Sequence, residues 1–217
     1  MFAWQEATVG SGLTLHAPLT LKTDIAALQA DFDALDATLA PDQRHFFSGG
    51  DEWTAITLVN RPVGSNTNLP DNATPLLERM PSVRALLERF AAPVLGCYIS
   101  RQPPRGRLVW HFDNQALHLS ECRLLVPIHA PPGARTLIGA EAVAYPEGVA
   151  WTGDFSFPHQ VENEADRQRI VLLIDAPSTD WVHGLAPAAL AANAPLRHEL
   201  AETARNALVE WRTRRQP

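Results

Sequence analysis

Between Pro93 and Asp175 the chain is broken at short intervals by residues that reverse its direction. Pro103-Pro104-Arg105-Gly106, Pro131-Pro132-Gly133, Pro146-Glu147-Gly148 and Thr152-Gly153-Asp154 supply the breaks. Proline fixes φ for a turn, and glycine permits the left-handed conformations that turns require. The segments between them have strand-like composition: 94–100, 107–112, 122–128, 136–138, 142–145, 148–152, 159–163 and 169–175. Most are too short for a helix of three turns and are rich in β-branched or aromatic residues. About eight short strands separated by turn signals is the pattern of a β-sandwich or barrel. Pro127 has no N–H to give a ladder, so a bulge or an edge is expected at its position.

The flanks of this region are helical. Ile25, Leu28, Phe32, Leu35 and Leu39 recur at helical spacing over 24–39, with Thr23 or Asp24 available as the cap. Asp31, Asp33 and Asp36 read as the solvated face of that helix. A second helix is expected over 81–90, with Pro81 in its first turn and Val83, Leu86, Leu87 and Phe90 on one side. A third begins at Pro195 with the stripe Leu196, Leu200, Ala204, Ala207, Leu208 and Trp211, and ends in arginines that complement the helix C-terminus. Trp211 is expected to pack on its own barrel. Leu13 and Leu15 alternate with polar residues as an edge strand would, and 53–59 has strand-like composition after the break at Gly49-Gly50. The stretch 61–75, rich in Pro, Gly and Asn, is a long loop, either a binding wall or a surface excursion.

No internal repeat or linker divides the 217 residues, so one domain spanning 1–217 is expected, with its core at about 93–176. A net charge of -6 without a basic run argues against nucleic-acid partners. Cys97 and Cys122 sit in apolar strand contexts and are expected to be buried, reduced thiols. No basic-then-apolar leader and no apolar run of membrane-spanning length is present, so the expectation is a cytoplasmic protein with no membrane contact. The sequence sets no oligomeric state.

The chemistry-bearing residues lie inside the strand-rich region. Trp110-His111-Phe112-Asp113 places a histidine and a carboxylate two residues apart, on one face if the segment is extended. His159 follows on a later strand, and ten residues beyond it Arg169 heads the apolar run Ile170-Val171-Leu172-Leu173-Ile174. Two imidazoles and one carboxylate form the facial triad that holds non-haem Fe(II) and leaves positions open. A strand-borne arginine suits the carboxylate of a co-substrate, which its planar fork can grip through two hydrogen bonds.

With these motifs, 100–175 resembles the aspartyl/asparaginyl β-hydroxylase family of Fe(II)- and 2-oxoglutarate-dependent oxygenases. The matching pieces are 110–113, 123–128, 153–161 and 169–175. Gly49-Gly50-Asp51-Glu52-Trp53-Thr54-Ala55-Ile56 is similar to the corresponding region of that family's bacterial free-proline cis-hydroxylases. The resemblance implies a double-stranded β-helix (jelly roll) flanked by helices. It implies His111, Asp113 and His159 as iron ligands, Arg169 as the anchor of the far carboxylate of 2-oxoglutarate, Ser100 as its helper, and Arg123 as a residue lining the co-substrate pocket. Members often carry a histidine two residues after that arginine, where this chain has Leu125. His129 lies four residues beyond Leu125, about 13 Å along a strand, and cannot simply replace it.

The implied reaction uses Fe(II), 2-oxoglutarate and O2 to hydroxylate a small molecule, with a free amino acid such as proline first. Arg123 and Trp53 are the expected substrate contacts, a cation for the carboxylate and an apolar wall. Two other readings stay open: hydroxylation of an Asp/Asn or other side chain within a peptide or protein, and a cupin-like metal-binding module without turnover.

Overall fold

The computed structural model describes residues 1–40, 45–46, 54–61 and 72–215. Trp53, Gly49-Gly50 and most of the expected 61–75 loop lie outside the described residues. The strands form two antiparallel sheets. The larger runs in the order β1 (His16–Pro18), β9 (Trp151–Gly153), β6 (Glu121–His129), β11 (Arg169–Pro177), β4 (Gly96–Gln102), β3 (Thr54–Val59) and β2 (His45–Phe46). The smaller runs β5 (Arg107–His111), β10 (His159–Asn163), β7 (Ala134–Ile138) and β8 (Glu141–Val143). Each expected strand of the core is present, with ends moved by at most three residues. Strands distant in sequence lie side by side in both sheets, as in a jelly roll.

Alternation along β11 sorts the core into two compartments. Ile170, Leu172 and Ile174 face outward into a cluster with Leu28, Phe32 and Leu35 of α2 (Ile25–Asp36) and Val83, Leu86 and Leu87 of α3 (Pro81–Leu87). Val171 and Leu173 face inward, between the sheets, with Leu15, Trp110, Leu125, Ile138, Phe155 and Phe157. The whole strand is buried because both of its faces are covered, which is why it reads as a continuous apolar run. The caps follow the sequence: the Asp24 carboxylate accepts from the Ala27 N–H at 3.1 Å, and Pro81 opens α3.

The irregularity expected at Pro127 is there. β6 is a central strand, and its pairing with β11 slips from Val171 opposite Pro127 to Ile170 opposite His129. The slip turns His129 to the outer face, where Nε2 lies 3.0 Å from the Asp33 carboxylate on α2. The acidic face of α2 is therefore a set of tethers and not simply solvated: Asp31 accepts from the Ser82 N–H at 2.7 Å, and Asp36 pairs with Arg101. The pattern misled because helical spacing gives burial but not which exposed-face carboxylates will find a neighbouring element.

After the short α4 (Asp180–Leu185), the C-terminal helix α5 (Ala194–Thr213) covers the other side. Trp211 stacks edge-on against Trp4 of α1 (Ala3–Glu6), with ring centroids 5.3 Å apart. Leu196 is exposed, while its neighbour Arg197 is completely buried. The Arg197 guanidinium donates to Ala192 O, Ala189 O, Thr14 O and the Asp154 carboxylate at 2.7–3.0 Å. The bond to Asp154 ties α5 to the turn that precedes β10. Among the described residues no helix is long and apolar enough to cross a membrane. Cys97 and Cys122 are buried and unpaired, with burial raising both thiol pKa values.

Candidate metal centre

The smaller sheet brings the two histidines together directly, because His111 at the end of β5 is in register with His159 at the start of β10. Their rings are 4.0 Å apart between centroids. Asp113 lies just past the end of β5, and its N–H donates to Phe155 O at 2.9 Å, which holds it beside the strand ends. His111, Asp113 and His159 each offer one ligand atom, and these atoms lie within 4.8 Å of one another. His159 Nε2 is 3.9 Å from the nearer Asp113 oxygen. Ligands 2.0–2.2 Å from a shared cation lie at most about 4.4 Å apart, so the 3.9 Å pair is within reach of one ion.

The backbone fixes which nitrogen is free. His111 Nδ1 is 2.8 Å from Val109 O and His159 Nδ1 is 3.1 Å from Phe157 O. A carbonyl only accepts, so in each neutral ring Nδ1 carries the proton and Nε2 keeps the lone pair a metal needs. Burial is the main cause that lowers the pKa of both imidazoles, strongly for His159, where His111 adds to the effect. Both rings are thereby neutral and able to ligate. Phe155 packs edge-on against His159 at 5.0 Å and shields it.

Arg123 on β6 supports the carboxylate. Its Nη1 donates to Asp113 at 3.0 Å, while Nε and Nη2 grip the buried Asp175 of β11 at 2.8 and 3.0 Å. Asp175 and Arg123 are opposite in register, so the sheet presents the fork ready-made. Three of its five N–H donors are thus engaged, and a substrate carboxylate would have to share the other two. No local pattern marks Asp175 as the partner, since an acid at a strand end has many possible fates. Leu125 faces the interior two residues on, opposite Trp151.

Arg169 lies inside the roll. It is 5% exposed, and its one hydrogen bond to a described residue runs from Nη2 to the Thr136 hydroxyl at 3.3 Å. No carboxylate among the described residues pairs with it, and burial lowers its pKa to about 10. An unpaired guanidinium inside a protein is costly, and a dicarboxylate is the kind of group that relieves it. Ser100 on β4 is buried on the same inner face, and its hydroxyl has no hydrogen-bond partner among the described residues. A cation and a hydroxyl, both buried and under-bonded, fit the far end of 2-oxoglutarate. Three further residues had no sequence signal: Tyr145, which interacts electrostatically with Arg169, Trp151, whose ring stacks on the Tyr145 ring at 4.8 Å, and His16, bonded to the Tyr145 hydroxyl. They come from separate strands and the turn after β8, so no local motif joins them.

Comparison with known proteins follows from this geometry. A family model described as "Aspartyl/Asparaginyl beta-hydroxylase" matches residues 19–178. A direct search of curated proteins gives no match. Among solved structures, HygX from Streptomyces hygroscopicus, with nickel and 2-oxoglutarate bound, is similar at 11% identity over 77% of this chain and 84% of its own, with a TM-score of 0.49. AviO1 from Streptomyces viridochromogenes is similar at 14% identity over 86% and 98%, with a TM-score of 0.48. A 2OG-Fe(II) oxygenase family oxidoreductase from Burkholderia pseudomallei is similar at 15% identity over 73% and 82%, with a TM-score of 0.44. These are distant likenesses that say nothing about substrate.

Proposed function

The chain belongs to the aspartyl/asparaginyl beta-hydroxylase family, and from that premise we propose that it is an Fe(II)- and 2-oxoglutarate-dependent hydroxylase of a small molecule, with a free amino acid such as proline first. One observation carries this reading. The inner space of the roll holds a His-Asp-His ligand set and a buried arginine without a carboxylate partner. His111, Asp113 and His159 hold the iron, and Arg169 with Ser100 holds the far carboxylate of 2-oxoglutarate. When bound, the pair supplies the oxidising power: O2 is consumed, 2-oxoglutarate leaves as succinate and CO2, and one oxygen atom becomes the substrate hydroxyl.

The protein's own work is positioning and exclusion. Val109 and Phe157 carbonyls orient the imidazoles, and the Phe155 carbonyl and Arg123 orient Asp113. Trp110, Leu125, Ile138, Phe155 and Phe157 keep water from the interior. Arg123 steadies the ligand carboxylate and shares its two other donors with substrate or co-substrate. Trp53, outside the described residues, remains the proposed apolar wall of the substrate site. In this reading 1–217 is one catalytic unit working in the cytoplasm.

The test is substrate-dependent succinate formation. Purified protein with Fe(II), 2-oxoglutarate and O2 is screened against free amino acids, and products are examined by mass spectrometry for one added oxygen atom. Free proline or a close relative should give stoichiometric succinate and hydroxylated product. Product from N-blocked or peptide-bound proline alone would overturn the free-amino-acid reading. Metal binding without succinate from any substrate would favour a non-catalytic module.

A further inference from the structure

One cavity away from the metal ligands gathers a guanidinium and two imidazoles with no acid in its lining. It has a volume of about 270 Å³ and lies between α5 and the chain that follows Asp113. His198, Ala201 and Arg205 come from α5 at spacings of three and four residues, which puts them on one face of the helix. Ala201 is the small residue between the two basic ones and leaves the room. Asn114, His118 and Ser120 supply the facing wall, and Ser156, from the turn before β10, also lines it.

Two of these groups are held in place yet under-bonded. The Arg205 Nε–H donates to Ala201 O at 3.2 Å, and the guanidinium lies 5.7 Å from the centre of the Phe112 ring. Its two Nη nitrogens have no partner among the described residues. The His118 side chain is 4% exposed, and its Nδ1 has no hydrogen-bond partner among the described residues. Asp154 lies 3.5 Å from that nitrogen, but both of its oxygens are already engaged. One accepts from the Ser156 hydroxyl at 2.5 Å and the other from Arg197 at 2.9 Å. The buried Arg197–Asp154 pair cancels its own charge, so the cavity keeps that of Arg205, in a chain of net charge -6. Glu199 and Glu202 of α5 are exposed and do not line it. A buried nitrogen without a partner is unfavourable. Beside it stand a cation, an amide and a hydroxyl, all donors that an oxyanion can accept from.

We propose that this cavity is a binding site for a small oxyanion, the phosphate, sulfate or carboxylate group of a metabolite, gripped by Arg205 and His198 from α5 and by His118, Asn114 and Ser120 from the facing chain. Ligand pockets commonly start at about 300 Å³, so the cavity admits the anionic group and little more, and the rest of the ligand projects into solvent. His111, Asp113, His159, Arg169 and Ser100 do not line it, so the site does not depend on the co-substrate reading. Its place gives occupancy a consequence. Asn114 follows Asp113, and Ser156 lies between Phe155, whose carbonyl accepts from the Asp113 N–H, and Phe157, whose carbonyl holds His159. A bound anion ties α5 to both of these segments.

The test is calorimetric titration of the full-length, metal-free protein with sodium sulfate, inorganic phosphate and malonate at constant ionic strength. The variants are Arg205→Gln and His198→Leu, at a half-buried and an exposed position of α5. Arg169→Met is the control for an anion that enters the roll instead. Wild type and Arg169→Met should bind at least one of the three anions alike. Arg205→Gln should bind it about tenfold or more weakly, the loss expected for a charge-assisted hydrogen bond. His198→Leu should weaken it by a smaller factor, and both variants should unfold cooperatively. The anion should also shift the His118 ring resonances of wild type, which a site elsewhere would leave in place. Preference for sulfate or phosphate identifies a tetrahedral group, and preference for malonate a carboxylate. If none of the three binds, if Arg205→Gln binds as wild type does, or if only Arg169→Met loses binding, the cavity is not an anion site. Arg169→Met removes the proposed co-substrate anchor without touching this cavity, so failure of one reading leaves the other standing.

Discussion

Replacing Arg169 by methionine should make the ligand-free protein more stable while removing its response to 2-oxoglutarate. Burial pushes the guanidinium pKa well below its ordinary value, to about 10. At about 1.4 kcal/mol per tenfold, holding the charge inside costs about 3 kcal/mol relative to water. A base with a depressed folded pKa is penalised at every pH below about 10, and the penalty fades only as pH rises from there towards the ordinary guanidinium value. Against this stands the single bond to Thr136, which contributes about 0.5–1.5 kcal/mol. Methionine keeps much of the arginine stem's packing without the charge. Exchanging buried ionic groups for apolar ones of similar volume is often stabilising by about 1–4 kcal/mol. The net expectation is a gain of about 1–3 kcal/mol, or roughly 3–10 °C in Tm for a domain of this size.

The assay is thermal unfolding of wild type and Arg169→Met, both loaded anaerobically with Fe(II), with and without 2-oxoglutarate. Ligand at a hundredfold over its dissociation constant should raise wild-type stability by about 2.7 kcal/mol. The variant should start higher and not move, so the order of the two melting points closes or reverses on adding ligand. A variant that melts several degrees below wild type without ligand would show that Arg169 is already well paired, and the argument for an anion at that place would fall.

The metal set should take up one Fe(II) per chain in anaerobic titration, and His159→Ala should abolish both uptake and turnover while the unfolding transition stays cooperative. Asp175→Asn should destabilise the protein by about 3 kcal/mol in denaturant unfolding, because it breaks one side of a buried pair. The same variant should weaken Fe(II) binding about 10–100-fold, because Arg123 no longer holds Asp113 in place. Acid should destabilise the metal-free protein. His16 and His159 have folded pKa values below the ordinary 6.5, so the unfolded chain takes up protons first, and stability should fall as pH drops from about 6.5 towards 4. Each such group contributes up to about 1.4 kcal/mol per pH unit, and His111 and His118, whose pKa values burial also lowers, act in the same direction; a pH-independent free energy over that window would mean the imidazoles are not buried as neutral groups.

The sequence reading succeeded where the information is local. Turn residues at short intervals placed the strands of the core, and the two-residue spacing of His111 and Asp113 kept them together even though β5 stops at His111 and leaves Asp113 beyond it. Pro127 announced its own bulge because a missing N–H can be read from one residue. What could not be read depends on partners far apart in the chain. The Asp175 partner of Arg123 is 52 residues away, and the Asp33 partner of His129 is 96 away. Nothing in 16–18 marks His16 as an interior residue, since a three-residue edge strand carries too little pattern to have a face. The helical stripe of α5 was legible, but Leu196 and Arg197 exchanged roles because a buried hydrogen-bonded arginine has the same letter as an exposed one.

That last pair states the physical logic of the molecule. Arg197 and Arg169 are both buried arginines, and charge, composition and burial do not tell them apart. Their bonding does. Arg197 makes four hydrogen bonds, one of them to a buried carboxylate, and so closes its own account of donors and charge within the fold. Its partner Asp154 begins the turn whose next residues present the Phe155 carbonyl to Asp113 and the Phe157 carbonyl to His159. A cation bonded through four of its five donors thus fixes the backbone on which the metal ligands hang. Arg169 makes one bond, to a neutral hydroxyl, and is held in place by strand pairing on both sides of β11. A fold that pairs one buried guanidinium with a carboxylate and, among its described residues, offers the other none is arranged for a negatively charged guest at the second.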